Sequence, residues 1–168
     1  MPRKMKRERV EDLEVIDINS KGKGVLKSND GKVIFVQGAV PGDKVTIETY
    51  KKKGGYFEAR LIEVNHPSPN RINPVCKHFG ICGGCKWQHL SYKMQLQFKQ
   101  KEILHNLKNI SGMVLPKIDK IKAAEQTFFY RNKMEYAFSD QRWLSAEEIK
   151  VKTETLEKKG LGFHKAGM

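Results

Sequence analysis

Residues 13–64 read LEVIDINSKGKGVLKSNDGKVIFVQGAVPGDKVTIETYKKKGGYFEARLIEV. Turn chemistry interrupts this stretch about every eight to twelve residues, the pattern of a small sandwich or barrel. Five strands are expected, over Leu13 to Ile18, Gly24 to Lys27, Lys32 to Gln37, Val45 to Tyr50 and Tyr56 to Val64. Asn29-Asp30-Gly31 supplies residues that tolerate positive φ in a hairpin, and Pro41-Gly42-Asp43 makes a further turn. Strand count and length together match an OB-like barrel. Gly22-Lys23-Gly24 opens like a dinucleotide fingerprint, but Lys27 stands where the third glycine belongs and a strand follows, so no nucleotide site is read there.

Working outward, residues 1–12 form a basic tail with Arg3, Lys4, Lys6, Arg7 and Arg9, and 13–65 the barrel. Pro67, Pro69 and Pro74 mark a linker, so residues 66–90 are grouped as a proline-rich linker carrying a cysteine loop. A helix is expected from about Ser91 to Ile110, with Ser91 at its start and Gly112 at its end. At 100° per residue, Tyr92, Leu96, Ile103, Leu107 and Ile110 fall within about 60° of one another, while Met94 and Phe98 form a smaller apolar pair opposite. From Phe128 to Phe138 the apolar period becomes two, which reads as a strand, and Leu161 to His164 reads as a returning one. Ser145-Ala146-Glu147-Glu148 is a capping box opening a short helix to Lys150, and Val151 to Lys159 is expected to be loop. Residues 91–168 therefore read as an amphipathic helix and an incomplete α+β domain.

The 168 residues carry 32 Lys and Arg against 19 Asp and Glu, a formal +13. A polyanion is the natural partner. The stretch from His66 to Leu115 is the most biased, with Glu102 as its single acid. No apolar run approaches the ~18 residues of a spanning helix, and no signal peptide follows the basic start, so no membrane partner and a cytoplasmic location are expected. Val, Ile, Leu and Phe are well represented, so the chain is expected to fold rather than remain disordered.

Basic residues interleaved with aromatics offer phosphate contacts and flat faces for unpaired bases. The run Tyr50-Lys51-Lys52-Lys53-Gly54-Gly55-Tyr56-Phe57 is one such site, giving Lys51, Lys52, Lys53 and Tyr56 as RNA-contact candidates. Arg71 and Lys86, around the cysteines, and Arg131 and Lys133, on the charged side of the 128–138 segment, complete the set.

The three cysteines, Cys76, Cys82 and Cys85, lie within one short segment, with Gly83-Gly84 between the closer two. Secreted disulfide frameworks are even-numbered and dispersed, whereas clustered thiols point to metal. Glycines let the backbone curl and aim amide hydrogens at sulfur. A zinc site would need His78 or His89 as fourth ligand, and an iron-sulfur cluster would need a fourth cysteine.

The run from Ser68-Pro69-Asn70-Arg71 through Pro74-Val75-Cys76-Lys77-His78-Phe79-Gly80-Ile81-Cys82-Gly83-Gly84-Cys85-Lys86-Trp87-Gln88-His89-Leu90, with Tyr92 and Gln95-Leu96, closely resembles the RNA 5-methyluridine methyltransferases, especially those acting on uracil in 23S ribosomal RNA. Val40-Pro41-Gly42-Asp43, Tyr130-Arg131-Asn132-Lys133-Met134-Glu135 and Leu161-Gly162-Phe163-His164 resemble further stretches of that family. The resemblance implies that 13–65 is a TRAM domain, an OB-like RNA-binding barrel, and that Cys76, Cys82 and Cys85 hold a [4Fe-4S] cluster whose fourth cysteine lies beyond Met168. It implies ribosomal RNA as partner and S-adenosylmethionine as methyl donor, bound in a methyltransferase domain absent from these residues. In the family a cysteine thiolate adds to uracil C6 before C5 is methylated and deprotonated. All three cysteines here fall in the cluster motif, so no catalytic residue is assigned, and the chain alone is expected to be inactive. The helix stripe, lacking that domain in cis, is expected to leave the chain prone to self-association. A stand-alone RNA-binding module with a Cys3His zinc site is the alternative.

Overall fold

The computed structural model describes residues 7–112, 114–151 and 156–165. The chain forms two compact units, one of Met1–Val75 with Trp87–Ala123, the other of Cys76–Lys86 with Ala124–Met168. Among the described residues, no helix is long and apolar enough to cross a membrane.

The first unit is built on a curled, mixed, six-stranded sheet. Its strands are β1 (Arg9–Glu14), β2 (Asp17–Ile18), β3 (Lys23–Lys27), β4 (Val33–Gln37), β5 (Lys44–Lys53) and β6 (Tyr56–His66), in spatial order β1-β5-β6-β4-β3-β2. All neighbours are antiparallel except β4 and β6, which run parallel. The alternation seen in sequence sets the faces: Ile34 and Val36 of β4 are buried opposite Leu26 and Gly24 of β3, while Phe35 between them points outward. Val15, Leu26, Ile34, Val36, Ala39, Val45, Ile47 and Ala59 form the core. At about 1.5–3 kcal/mol for each large aliphatic side chain removed from water, this cluster is the main stabilising term of the unit.

The first expected strand, Leu13 to Ile18, breaks in two. β1 pairs with β5, with a register irregularity between Val10 and Leu13 and a positive φ of 56° at Asp12, whereas β2 pairs with β3. The switch falls at Val15 and Ile16: the Val15 amide donates to the Asp43 carbonyl at 2.9 Å and the Ile16 amide to the Val25 carbonyl at 2.9 Å. One bent segment thus supplies both edge strands, and the sheet curls back toward itself. Gly24 makes room for that bend, since a Cβ there would meet the Ala39 carbonyl oxygen at 2.9 Å and a Val15 methyl at 3.0 Å.

Helix α1 (Tyr92–Ser111) follows, ending on left-handed Gly112 as expected. Ser91 makes no side-chain cap bond; instead the Gln95 amide side chain donates to the carbonyls of Leu90 at 2.8 Å and Trp87 at 3.1 Å, tying the first turn to the preceding loop. The face that packs is the smaller one. Met94 and Phe98, with Trp87, lie on a second core of Ile18, Val40 and Leu90, while Ile103, Leu107 and Ile110 of the larger stripe are exposed.

In the second unit, β7 (Ala137–Ser139) pairs antiparallel with β8 (Gly160–Gly162), and α2 (Ala146–Lys150) starts on Ser145 with the expected capping box. Arg142 grips Glu148 of that box with two guanidinium nitrogens at 2.6 and 3.2 Å. The strand expected over Phe128 to Phe138 shrinks to its last residues. Phe129 takes a positive φ of 56°, outside the extended range, and among the described residues of this unit β7 pairs with β8 alone. The returning strand is likewise shorter than expected, and residues 152–155 of the expected loop lie outside the described residues.

Candidate nucleic-acid interface and cysteine loop

β5 and β6 make a long hairpin that turns at Gly54 and Gly55, with Lys51 across from Glu58, Lys52 from Phe57 and Lys53 from Tyr56. The three lysines are exposed and Tyr56 is half-buried. Glu58 gathers its neighbours: Lys23 Nζ lies 3.4 Å and Lys53 Nζ 3.9 Å from its carboxylate, and the Tyr50 hydroxyl donates to it at 3.3 Å. Burial raises the Glu58 pKa, but the two lysines outweigh it and hold the carboxyl below its ordinary value. Lys32 and Lys52 each place their ammonium 5.8 Å from the Phe57 ring centre, and the Arg60 guanidinium sits 5.5 Å from that of Tyr50. Lys51, Lys52, Lys53 and Tyr56 of this hairpin are RNA-contact candidates from the sequence. Phe35, whose ring meets that of Tyr56 edge-on at 5.1 Å, was not anticipated. Its signal lay in the alternation of β4, which leaves an aromatic residue on the solvent side.

Arg71 has a different setting. Its Nε donates to Asp43 Oδ1 at 3.1 Å, and one terminal nitrogen donates to Asp43 Oδ2 at 2.5 Å and to the Gly38 carbonyl at 2.9 Å. Asp43 is fully buried and also accepts from the amides of Val40 and Ser68, both at 2.8 Å. Burial pushes the Asp43 carboxyl upward, yet Arg71 and the two amides prevail and its pKa lies below the ordinary value. Gly42 must be glycine at this corner: its φ is +89°, and a Cβ would meet the Ser68 hydroxyl at 2.8 Å.

His89 is buried beside this pair, and burial, reinforced by the Arg71 charge against the smaller pull of Asp43, lowers its pKa to about 4. Its folded pKa thus lies below the unfolded value near 6.5, and the unfolded chain binds the extra proton between the two. Stability is therefore complete above about pH 6.5 and is lost as pH falls toward 4, by about 2 kcal/mol at pH 5. Asp43 acts only below its ordinary carboxylate range, so the two windows separate. Urea midpoints at pH 7 and pH 5 check this: the native chain shifts strongly and a His89→Gln chain much less.

In the second unit the cysteine loop is drawn into tight turns. The His78 carbonyl accepts from the Ile81 amide at 3.2 Å and the Cys82 amide at 2.9 Å, and Gly80 between them takes φ +87°. Gly84 donates its amide to Cys82 Sγ at 3.3 Å, as the glycine pair led us to expect. The Gly83 amide reaches the His164 carbonyl at 2.9 Å, and a Cβ on Gly84 would lie 3.3 Å from the Phe163 ring. Cys76 and Cys85 are exposed and Cys82 is partly so. Three thiols and an amide aimed at one of them suit an iron-sulfur cluster in donor chemistry. As placed, however, no three His, Cys, Asp or Glu side chains among the described residues converge on a metal position. Lys86, Arg131 and Lys133 are exposed in the same unit, and Lys133 lies 3.4 Å from Glu135.

Comparison with known proteins places the chain among relatives of one kind. It is 43% identical over 148 residues to an uncharacterized RNA methyltransferase of Bacteroides thetaiotaomicron, a match covering 88% of this chain and 32% of that protein. An uncharacterized RNA methyltransferase of Chlorobaculum tepidum is 41% identical over 161 residues, or 93% of this chain and 33% of the relative. No family model matches. The chain is thus a homologue of RNA methyltransferases, and it spans about a third of the length of these relatives. The particular relatives include the 23S rRNA (uracil(1939)-C(5))-methyltransferase of Cupriavidus metallidurans, 43% identical over 102 residues that make up 59% of this chain and 22% of that enzyme.

Proposed function

We propose that this chain is the RNA-binding and cluster-binding part of an S-adenosylmethionine-dependent methyltransferase that forms 5-methyluridine in ribosomal RNA, acting in the cytoplasm. The observation that carries the reading is its identity, over most of its length, with RNA methyltransferases, one of them named for a 23S rRNA uracil. On this reading the curled sheet of the first unit is the OB-like, TRAM-type barrel. Lys51, Lys52 and Lys53 take the phosphates of a single strand and Tyr56 a base; Lys86, Arg131 and Lys133 are further contacts. Arg71, held by Asp43, keeps the corner of the barrel in place rather than reaching for RNA. Cys76, Cys82 and Cys85 supply three thiolates to a [4Fe-4S] cluster, which when bound serves to shape the loop and position RNA. Methyl transfer itself belongs to the S-adenosylmethionine-binding domain of the whole enzyme.

The lysine hairpin is tested by salt dependence. Each phosphate neutralised on a single strand contributes about −0.7 to the slope of log affinity against log salt. Lys51→Ala, Lys52→Ala and Lys53→Ala together are expected to flatten that slope by up to about 2. An unchanged slope in a folded triple variant removes the hairpin from the interface.

A further inference from the structure

The outer face of the sheet carries an aromatic pair that sheet stability alone does not account for. Phe35 of β4 and Tyr56 of β6 stand on neighbouring parallel strands, with ring centres 5.1 Å apart and planes at 76°. Outward neighbours surround them: Glu58 is registered across from Phe35, Lys53 across from Tyr56, and Lys23 lies next along the face from Val25, the β3 partner of Phe35. Glu58 draws Lys23 and Lys53 to one carboxylate oxygen, at 3.4 and 3.9 Å. That acid sets two cations beside the rings, and with Lys51 and Arg60 the patch stays net positive. An edge-to-face pair leaves the edge-donating ring with both faces unused by its partner. Cross-strand aromatic pairs do stabilise sheets, but such a role does not call for ammonium groups gathered at the rim.

We propose that Phe35 and Tyr56 form a stacking platform for an unpaired base of single-stranded RNA, with Lys23 and Lys53, set by Glu58, taking the phosphates on either side. The proposal rests on the RNA-binding reading above and goes further in naming the ligand as an unstacked nucleobase and Phe35 as its contact. Stacking on an aromatic side chain is indifferent to base identity, because every base presents a π-face. The platform therefore supplies affinity for unpaired strand without choosing its sequence.

The test measures binding of the full chain, by fluorescence anisotropy, to a labelled single-stranded RNA and to the same strand with abasic positions. The native chain is expected to bind the abasic strand about tenfold more weakly. A Phe35→Leu/Tyr56→Leu chain is expected to lose about the same factor on the intact strand, to distinguish the two strands no longer, and to keep the native salt slope. Tyr56→Phe retains the ring and should retain discrimination. Where circular dichroism shows the double variant unfolded, Tyr56→Leu alone is read in the same way. The platform is overturned if the folded variant discriminates intact from abasic strands as well as the native chain, or if the native chain does not discriminate. Loss of salt-dependent binding in the native chain overturns instead the reading on which the platform rests.

Discussion

Replacing Asp43 with alanine is expected to lower the stability of the first unit by about 3–5 kcal/mol, the range seen when one partner of a buried ion pair is removed. The carboxylate is fully buried and binds four donors from three parts of the chain: the Val40 and Ser68 amides and two nitrogens of Arg71. Without it the Val40 and Ser68 amides lose their acceptor, and the Arg71 guanidinium, 24% exposed in its side chain, keeps the Gly38 carbonyl alone among the described residues. The same corner holds the strand switch, because the Val15 amide donates to the Asp43 carbonyl and the Gly42 amide to the Val15 carbonyl at 2.8 Å. Thermal melting should register a fall of about 10–20 °C. Arg71→Met should also be strongly destabilising, since it leaves the fully buried Asp43 carboxylate to the Val40 and Ser68 amides, and the double variant should fall short of the sum of the two. Additive losses would mean that the pair is not coupled.

The second large effect concerns the cysteine loop. Protein prepared without oxygen is expected to carry iron and acid-labile sulfide and to be brown, and Cys82→Ser should abolish both. Three thiolates brought together on so short a loop would repel one another unless a metal neutralised them, and the Gly84 amide already donates to Cys82 Sγ at 3.3 Å. Cys76→Ser and Cys85→Ser should act in the same direction. Colourless protein with one equivalent of zinc would support the Cys3His module instead, and protein devoid of metal would refute both.

The curled sheet was legible because most of its signals are local. Alternation in β4 and the turns at Gly31 and Gly42, with φ of 78° and 89°, are written into neighbouring residues. The bend at Val15 was not legible: Leu13 to Ile18 is rich in strand-forming residues throughout, and what divides it is pairing with two different strands. Asp43 reads as a turn residue, and its role as a buried hub depends on Arg71, 28 positions away. Phe128 to Phe138 misled for the opposite reason, since its alternation is clear but, among the described residues, most of it has no strand to pair with. In α1, amphipathicity marked two faces without saying that the smaller, Met94 and Phe98, is the one that docks. The cysteine spacing and the lysine hairpin were plain in the sequence, whereas Phe35 emerged only once β4 and β6 were seen side by side.

On the proposed reading this chain grips unpaired RNA through charge. Equilibrium binding of the full chain to a labelled single-stranded ribosomal RNA segment, measured between about 50 and 200 mM salt, tests it most directly. Clear binding is expected at the lower salt, with a log–log slope steeper than about −2, as three or more neutralised phosphates require. Undetectable binding at the lower salt, or an affinity indifferent to salt, would contradict it.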